Sequence, residues 1–141
     1  MRSVLIVEDN DDLRLIYTRV FRKANFDVRL ACDGIEGIAA LVKHLPDVVI
    51  MDVNMPRMTG LEVLAHIRRE ATMRMVKVIM VSSNAVAMGT PEGELADLFL
   101  QKPISVHELI TMTRRLLGDT GNLEAPSDPP AQPIATTNAS A

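Results

Sequence analysis

The chain has 141 residues, 48% apolar and 23% charged, which suits one folded domain with a real core. Its net charge of -3 sits at one end: Asp119, Glu124 and Asp128 follow residue 118 and no Lys or Arg does, so the first 118 residues balance at 15 acids and 15 bases. That balance argues against a nucleic-acid-binding face, a lone cysteine (Cys32) excludes an intrachain disulfide and a Cys-rich metal site, and no stretch is long enough for a secretory leader or membrane span, so a cytoplasmic location is expected.

Ser3-Val4-Leu5-Ile6-Val7 reads as a buried strand that ends in Glu8-Asp9-Asn10. Leu13, Ile16, Tyr17, Val20, Phe21 and Ala24 then recur at helical spacing, with Asn10 or Asp11 as the cap. Residues 26–32 form a third element, a strand whose Asp27 and Arg29 point to a sheet edge, and Cys32 at its end is expected to be a buried, inert thiol. Asp33-Gly34-Ile35-Glu36 has the form of a capping box, and Ile35, Ile38, Ala39 and Val42 are the expected buried face of the next helix. Val48 to Met51 is a strand buried on both faces, stopped by Asp52 and forced out of regular structure at Met55-Pro56. Thr59-Gly60-Leu61-Glu62 is a second capping box, opening a helix to about Glu70, and residues 76–81 are a strand ending at Ser82-Ser83.

Between Asn84 and Glu94, Gly89, Pro91 and Gly93 allow only a short or irregular helix. Residues 95–100 contain the last strand, before Gln101-Lys102-Pro103. Ser105-Val106-His107-Glu108 is a third box, opening a helix whose inner face is Val106, Leu109, Ile110, Thr113, Leu116 and Leu117 and whose stop is Gly118. Strand and helix alternate five times, the pattern of a doubly wound α/β fold: a five-stranded parallel sheet with helices on both faces. Residues 119–141 hold four of the eight prolines among Ala, Ser, Thr and Asn, and read as a disordered tail, too short for an effector domain, after a domain of residues 1–118.

In such a sheet the strand ends share one edge, where ligands bind. Four of them carry polar groups: Glu8-Asp9, Asp52, Ser82 and Lys102. Three converging carboxylates cannot all stay ionised without a cation, and hard oxygen ligands with water suit Mg²⁺. A lysine and a hydroxyl beside them form a site for a phosphoryl group, and a carboxylate can attack phosphorus to give an aspartyl phosphate.

Glu8-Asp9 after an apolar strand, Asp52-Val53-Asn54-Met55-Pro56-Arg57-Met58-Thr59-Gly60, Ser82-Ser83 and Lys102-Pro103, in that order and spacing, resemble the receiver domain of two-component response regulators, of the single-domain, chemotaxis-regulator kind. The resemblance covers residues 1 to about 118 and implies a flavodoxin-like sheet of strand order 2-1-3-4-5. It implies that Asp52 accepts a phosphoryl group from a histidine kinase or His-phosphotransfer protein. It further implies that Asp9, Asp52 and the backbone carbonyl of Asn54 bind Mg²⁺, with Glu8 acting through a metal-bound water. Lys102 would contact the phosphoryl oxygen, with a cis bond to Pro103. Ser82 and Phe99 would move together as a switch, altering the surface of the fourth helix, fifth strand and fifth helix. Asn54 and Asn84 would tune hydrolysis of the acyl phosphate. Two departures stand out: Ser82 where Thr is commoner, and a short Gly- and Pro-rich segment from Asn84 to Asp97.

The expected function is a phosphorylation-controlled binding module, not an independent enzyme: it would catalyse only its own phosphorylation and dephosphorylation. Its output would be contact with another protein, as monomer or phosphorylation-dependent dimer, or passage of the phosphoryl group along a relay. One alternative is an aspartyl-phosphate phosphatase, which wants an acid two residues after its nucleophile, where this chain has Asn54. The other is a phosphate-independent scaffold. Asp11 and Asp12 are read as a helix start favoured by the dipole, the nine methionines as packing filler, and Arg68-Arg69 and Arg114-Arg115 as solvated helix faces.

Overall fold

The apolar runs become the strands of one parallel sheet. The structure is a computed structural model, which describes residues 1–119. Its elements are β1 (Ser3–Val7), α1 (Asp11–Lys23), β2 (Asp27–Ala31), α2 (Gly34–Lys43), β3 (Val48–Met51), α3 (Gly60–Arg69), β4 (Lys77–Ser82), the single turn α4 (Ala85–Met88), β5 (Leu98–Gln101) and α5 (Val106–Leu116). The strand order is β2-β1-β3-β4-β5, as the resemblance implies. Pairing sets Val4 beside Val48, Val49 beside Val78 and Met80 beside Phe99.

Strand side chains alternate between two cores. Leu5, Val7, Val49, Met51, Val78 and Met80 face α2 and α3, while Val4, Ile6, Val48, Ile50, Ile79 and Val81 face α1 and α5. Each fully buried aliphatic side chain contributes about 1.5–3 kcal/mol. Four methionines, Met51, Met55, Met73 and Met80, fill the α2–α3 side, and Phe21 meets Phe26 edge to face on the other. Among the described residues no helix is long and apolar enough to cross a membrane.

Helix α2 packs on a different face from the one its apolar pattern predicts. Gly34, Gly37 and Leu41 are buried, Ile38 partly so, whereas Ile35, Ala39 and Val42 lie outward. The cause is close approach. A Cβ on Gly37 would stand 3.2 Å from Val7 Cγ2, and one on Gly34 would stand 2.8 Å from the Met58 carbonyl oxygen. The glycines let α2 sit directly on β1 and on the loop before α3, and the branched residues point away. Of the three expected capping boxes only Thr59–Glu62 closes on both sides. Asp33 and Ser105 cap their helices, but Glu36 accepts instead from the Cys32 N–H. Cys32 itself is half-buried rather than buried.

Two arginines assigned to solvated faces are structural. Arg68 donates to the carbonyls of Arg74, Val76 and Leu95 and pairs with Asp97 at 2.8 Å, tying the end of α3 to the segment that enters β5. Arg114 donates to the Ala24 carbonyl at the end of α1. Gly118, at φ 80°, ends α5. Asp119, assigned to the tail, pairs with Arg2 at 2.7 Å; the rest of the expected tail lies outside the described residues.

Candidate functional site

The parallel register carries the residues after β1, β3 and β5 to one edge of the sheet. Backbone bonding continues one step past each strand: Glu8 N–H donates to Ala31 O, Asp52 N–H to Val7 O and Lys102 N–H to Ser82 O, at 3.1, 3.4 and 2.9 Å. The side chains beyond the ladder therefore stand on rigid supports. Carboxylate oxygens of Glu8, Asp9 and Asp52 lie within 4.8 Å of one another. Lys102 Nζ donates to Asp52 Oδ2 at 2.9 Å and lies 3.8 Å from Glu8 Oε1. The other Asp52 oxygen accepts from the Asn54 N–H at 3.1 Å.

Burial grades these groups. Glu8 is 3% exposed, the Asp52 side chain 11% and the Lys102 side chain 24%, while Asp9 opens to solvent. Burial raises the Glu8 carboxyl above its ordinary range, against the Asn10 N–H and Lys102, which favour its ionised form. Burial also works to lower Lys102, but its contacts with Asp52 and Glu8 outweigh that and hold the ammonium above its usual value. Three carboxylates against one ammonium leave an excess of negative charge in a partly desolvated pocket. That donor set fits a hard divalent cation with open positions for water, as Mg²⁺ requires. Cys32, Asp33 and Glu36 form a second acidic group, but Asp33 is committed to Arg57 and Glu36 to Cys32.

The loop from Asp52 to Gly60 is held from both sides. Gly60 N–H donates to Val53 O at 2.8 Å, and a Cβ at Gly60 would stand 2.1 Å from Asp52 O. Arg57 adopts φ 68°, a left-handed conformation that favours glycine, and its guanidinium pairs with the buried Asp33 at the start of α2. That pair holds the Asp33 carboxyl below its usual range.

Thus the side chains of Glu8, Asp9, Asp52 and Lys102 come together as expected, with the Asn54 N–H, not its carbonyl, seen on Asp52. Ser82 is fully buried and paired in register with Gln101; its carbonyl accepts from the Lys102 N–H and its hydroxyl from the Asn84 N–H at 3.0 Å. Asn84 caps the α4 turn, its side chain accepting from Ala87 N–H at 3.3 Å. Phe99 is partly buried against the α2–α3 core. The Lys102–Pro103 bond is cis.

Three supports escaped the sequence reading. Tyr17, buried in the core as expected, also lines a small space with Glu8, Ile50, Asp52 and Val81. Arg14 donates to the Glu8 carbonyl at 2.7 Å and fixes the turn after β1; its place one turn into α1, above an acidic strand end, was the available signal. The Arg57–Asp33 pair spans 24 residues and leaves no local trace.

Glu8→Gln is expected to raise the melting temperature by about 3 °C without Mg²⁺ at neutral pH, since it removes a buried charge. The sign follows from linkage: the Glu8 pKa is raised in the fold, so its stabilisation is full below the unfolded value and is lost as pH rises through the folded one. Added Mg²⁺ should raise the melting temperature of the parent more than that of the variant. Thermal unfolding with and without Mg²⁺ checks both statements; equal Mg²⁺ shifts would remove Glu8 from the metal site.

A family model described as the response regulator receiver domain matches residues 4–114. The transcriptional regulatory protein TrcR of Mycobacterium tuberculosis is 31% identical over 125 residues, 89% of this chain and 49% of the relative. The chain spans about half the length of the mycobacterial relatives it matches. The polar-differentiation response regulator DivK of Brucella anthropi is 30% identical over 84% of this chain and 98% of its own length. The structure is similar to that of the chemotaxis response regulator CheY4 of Vibrio cholerae, with TM-score 0.76 and 30% identity over 82% of this chain and 98% of that one.

Proposed function

The chain belongs to the response regulator receiver domain family, and on that premise we propose that it takes a phosphoryl group on Asp52 and signals through the surface that moves in response. The observation that carries this reading is the Asp52 carboxylate, held at one oxygen by Lys102 and at the other by the Asn54 N–H, beside two further acids. The donor is a phosphohistidine of a histidine kinase or His-phosphotransfer protein. An Asp52 oxygen attacks phosphorus in line, the new O–P bond forms as the donor's N–P bond breaks, and the leaving imidazole nitrogen keeps the electron pair. Asp9, Asp52 and the Asn54 carbonyl would hold Mg²⁺, with Glu8 through water. The metal supplies charge neutralisation for the phosphoryl oxygens.

Lys102 starts on Asp52 and shifts to a phosphoryl oxygen as charge develops there. Ser82 exchanges the Asn84 N–H for the phosphoryl group as its hydroxyl turns, and Phe99, on the neighbouring strand, turns inward with it. The surface altered is that of the α4 turn, β5 and α5. Asn54 and Asn84 set how readily water reaches the acyl phosphate. The chain acts in the cytoplasm as a signalling module, catalysing only its own phosphorylation and dephosphorylation. It meets a partner protein or relays the phosphoryl group. A phosphatase reading is disfavoured because the Asn54 amide cannot serve as the general acid.

The test is an amide-resonance map before and after acetyl phosphate with Mg²⁺. The expected result is displacement at Asn54, Ser82, Asn84, Phe99 and the adjoining α4 turn and β5, reversing as the acyl phosphate hydrolyses. Displacement confined to the residues around Asp52 would support phosphorylation without a switch. No displacement would favour the phosphate-independent scaffold.

A further inference from the structure

Helix α2 presents to solvent an apolar stripe that its own fold does not use. Ile35 is 54% exposed and Val42 71%, with Ala39 between them and Leu45 just beyond at 46%. At about 100° per residue, Ile35, Ala39 and Val42 fall within roughly 60° of one another on the helix surface. Glu36 and Lys43, both exposed, form a row along one flank of this stripe, within roughly 20° of each other. Single exposed apolar residues are ordinary, but a continuous stripe on one helix marks an interaction surface.

We propose that this face is the seam of a homodimer, in which α2 packs antiparallel on α2 of a second copy about a two-fold axis near Ala39. The charges commit the occupant. A two-fold axis perpendicular to an antiparallel helix pair brings the same flank of both helices together with the direction reversed. Glu36 keeps Oε1 on the Cys32 N–H, and its exposed Oε2 then faces Lys43 of the other copy, twice over. Ile35 meets Val42 of the second copy, and Ala39, small, sits where the helices approach most closely. A parallel two-fold pair would place this flank of the two helices on opposite sides of the seam, so Glu36 and Lys43 would not meet across it. The glycine face that seats α2 on Val7 and Met58 is what turns the branched residues outward, so the seam follows from the fold itself. One helix from each copy makes a small interface, below the range of stable dimers, so association belongs to high local concentration. It needs neither Mg²⁺ nor phosphorylation, and stands whether or not Asp52 is a phosphoacceptor.

Sedimentation of the full chain, without Mg²⁺ or phosphodonor, tests it at loadings from about 10 μM to about 1 mM. The average mass should climb toward that of two chains across this range. Val42→Glu should weaken association at least about tenfold, and Lys43→Glu about fivefold. The paired exchange Glu36→Lys with Lys43→Glu should return association to within about twofold of the parent. These positions are exposed, and circular dichroism checks that each variant folds. A parent that keeps the mass of one chain throughout would overturn the proposal. So would a Val42→Glu variant that associates like its parent, or a paired exchange no better than Lys43→Glu alone.

Discussion

Asp52→Asn is expected to abolish phosphoryl uptake while leaving the melting temperature within a few degrees of the parent, about 1 kcal/mol or less in stability. The functional loss is complete because an amide oxygen is not a nucleophile of carboxylate strength, and Glu8, Asp9 and Asp52 differ in what they can reach. Glu8 is buried with one oxygen on the Asn10 N–H, and Asp9 is exposed, whereas Asp52 is the carboxylate that Lys102 holds at 2.9 Å. The small effect on stability comes from two opposing changes. The Lys102–Asp52 ion pair at 2.9 Å is weakened, and the repulsion between Asp52 and the neighbouring acids is relieved. The amide can still accept from the Asn54 N–H, so the loop keeps its anchor. Thermal unfolding together with intact mass after a phosphodonor checks both halves. A variant that still gains a phosphoryl group at an aspartate would show that the acceptor lies elsewhere.

Gly60→Ala is expected to cost about 3 kcal/mol of stability and to slow phosphorylation about a hundredfold. The added Cβ would meet the backbone carbonyl oxygen of Asp52 at 2.1 Å and Met80 Cε at 2.8 Å. The methionine tip can move; the carbonyl cannot move without carrying Asp52 with it. Nor can α3 retreat easily, because Val63, Leu64 and Ile67 are all fully buried beneath it. Strain at this contact therefore passes to the residue whose position the chemistry needs most. Gly89→Ala is the control: its nearest contact would be Val86 O at 3.8 Å, and its effect should be within about 0.5 kcal/mol. Urea unfolding and single-turnover phosphorylation measure the pair. Equal behaviour of the two variants would mean that the loop around Asp52 is not held by the α3 start.

The strands and the site edge were legible because their signals are local. Val48 to Met51 is an unbroken apolar run, and a polar residue at the end of each such run needs only the parallel topology to meet the others. The strand order came with the family resemblance rather than from the periodicity. The orientation of α2 was not legible, because the apolar rule ranks Ile35 and Val42 above Gly34 and Gly37. Close packing reversed the ranking: the residue without a side chain goes where two backbones nearly touch. Arg57 and Asp33, or Arg68 and Asp97, join positions far apart in sequence, and an arginine that bonds carbonyls looks in sequence like one that bonds water. Ser82 was placed correctly at the sheet edge, but its hydroxyl is engaged by the Asn84 N–H, a contact set by the turn after β4 and not by residue type.

The identity of the phosphoacceptor can be read chemically. The chain is incubated with acetyl phosphate and Mg²⁺, then treated with borohydride, which reduces an aspartyl phosphate to homoserine, and the position of the altered residue is found by peptide mass mapping. The account predicts homoserine at position 52, dependent on Mg²⁺ and absent from chain not exposed to phosphodonor. Homoserine at position 9, or at any other aspartate with Asp52 unchanged, would contradict it.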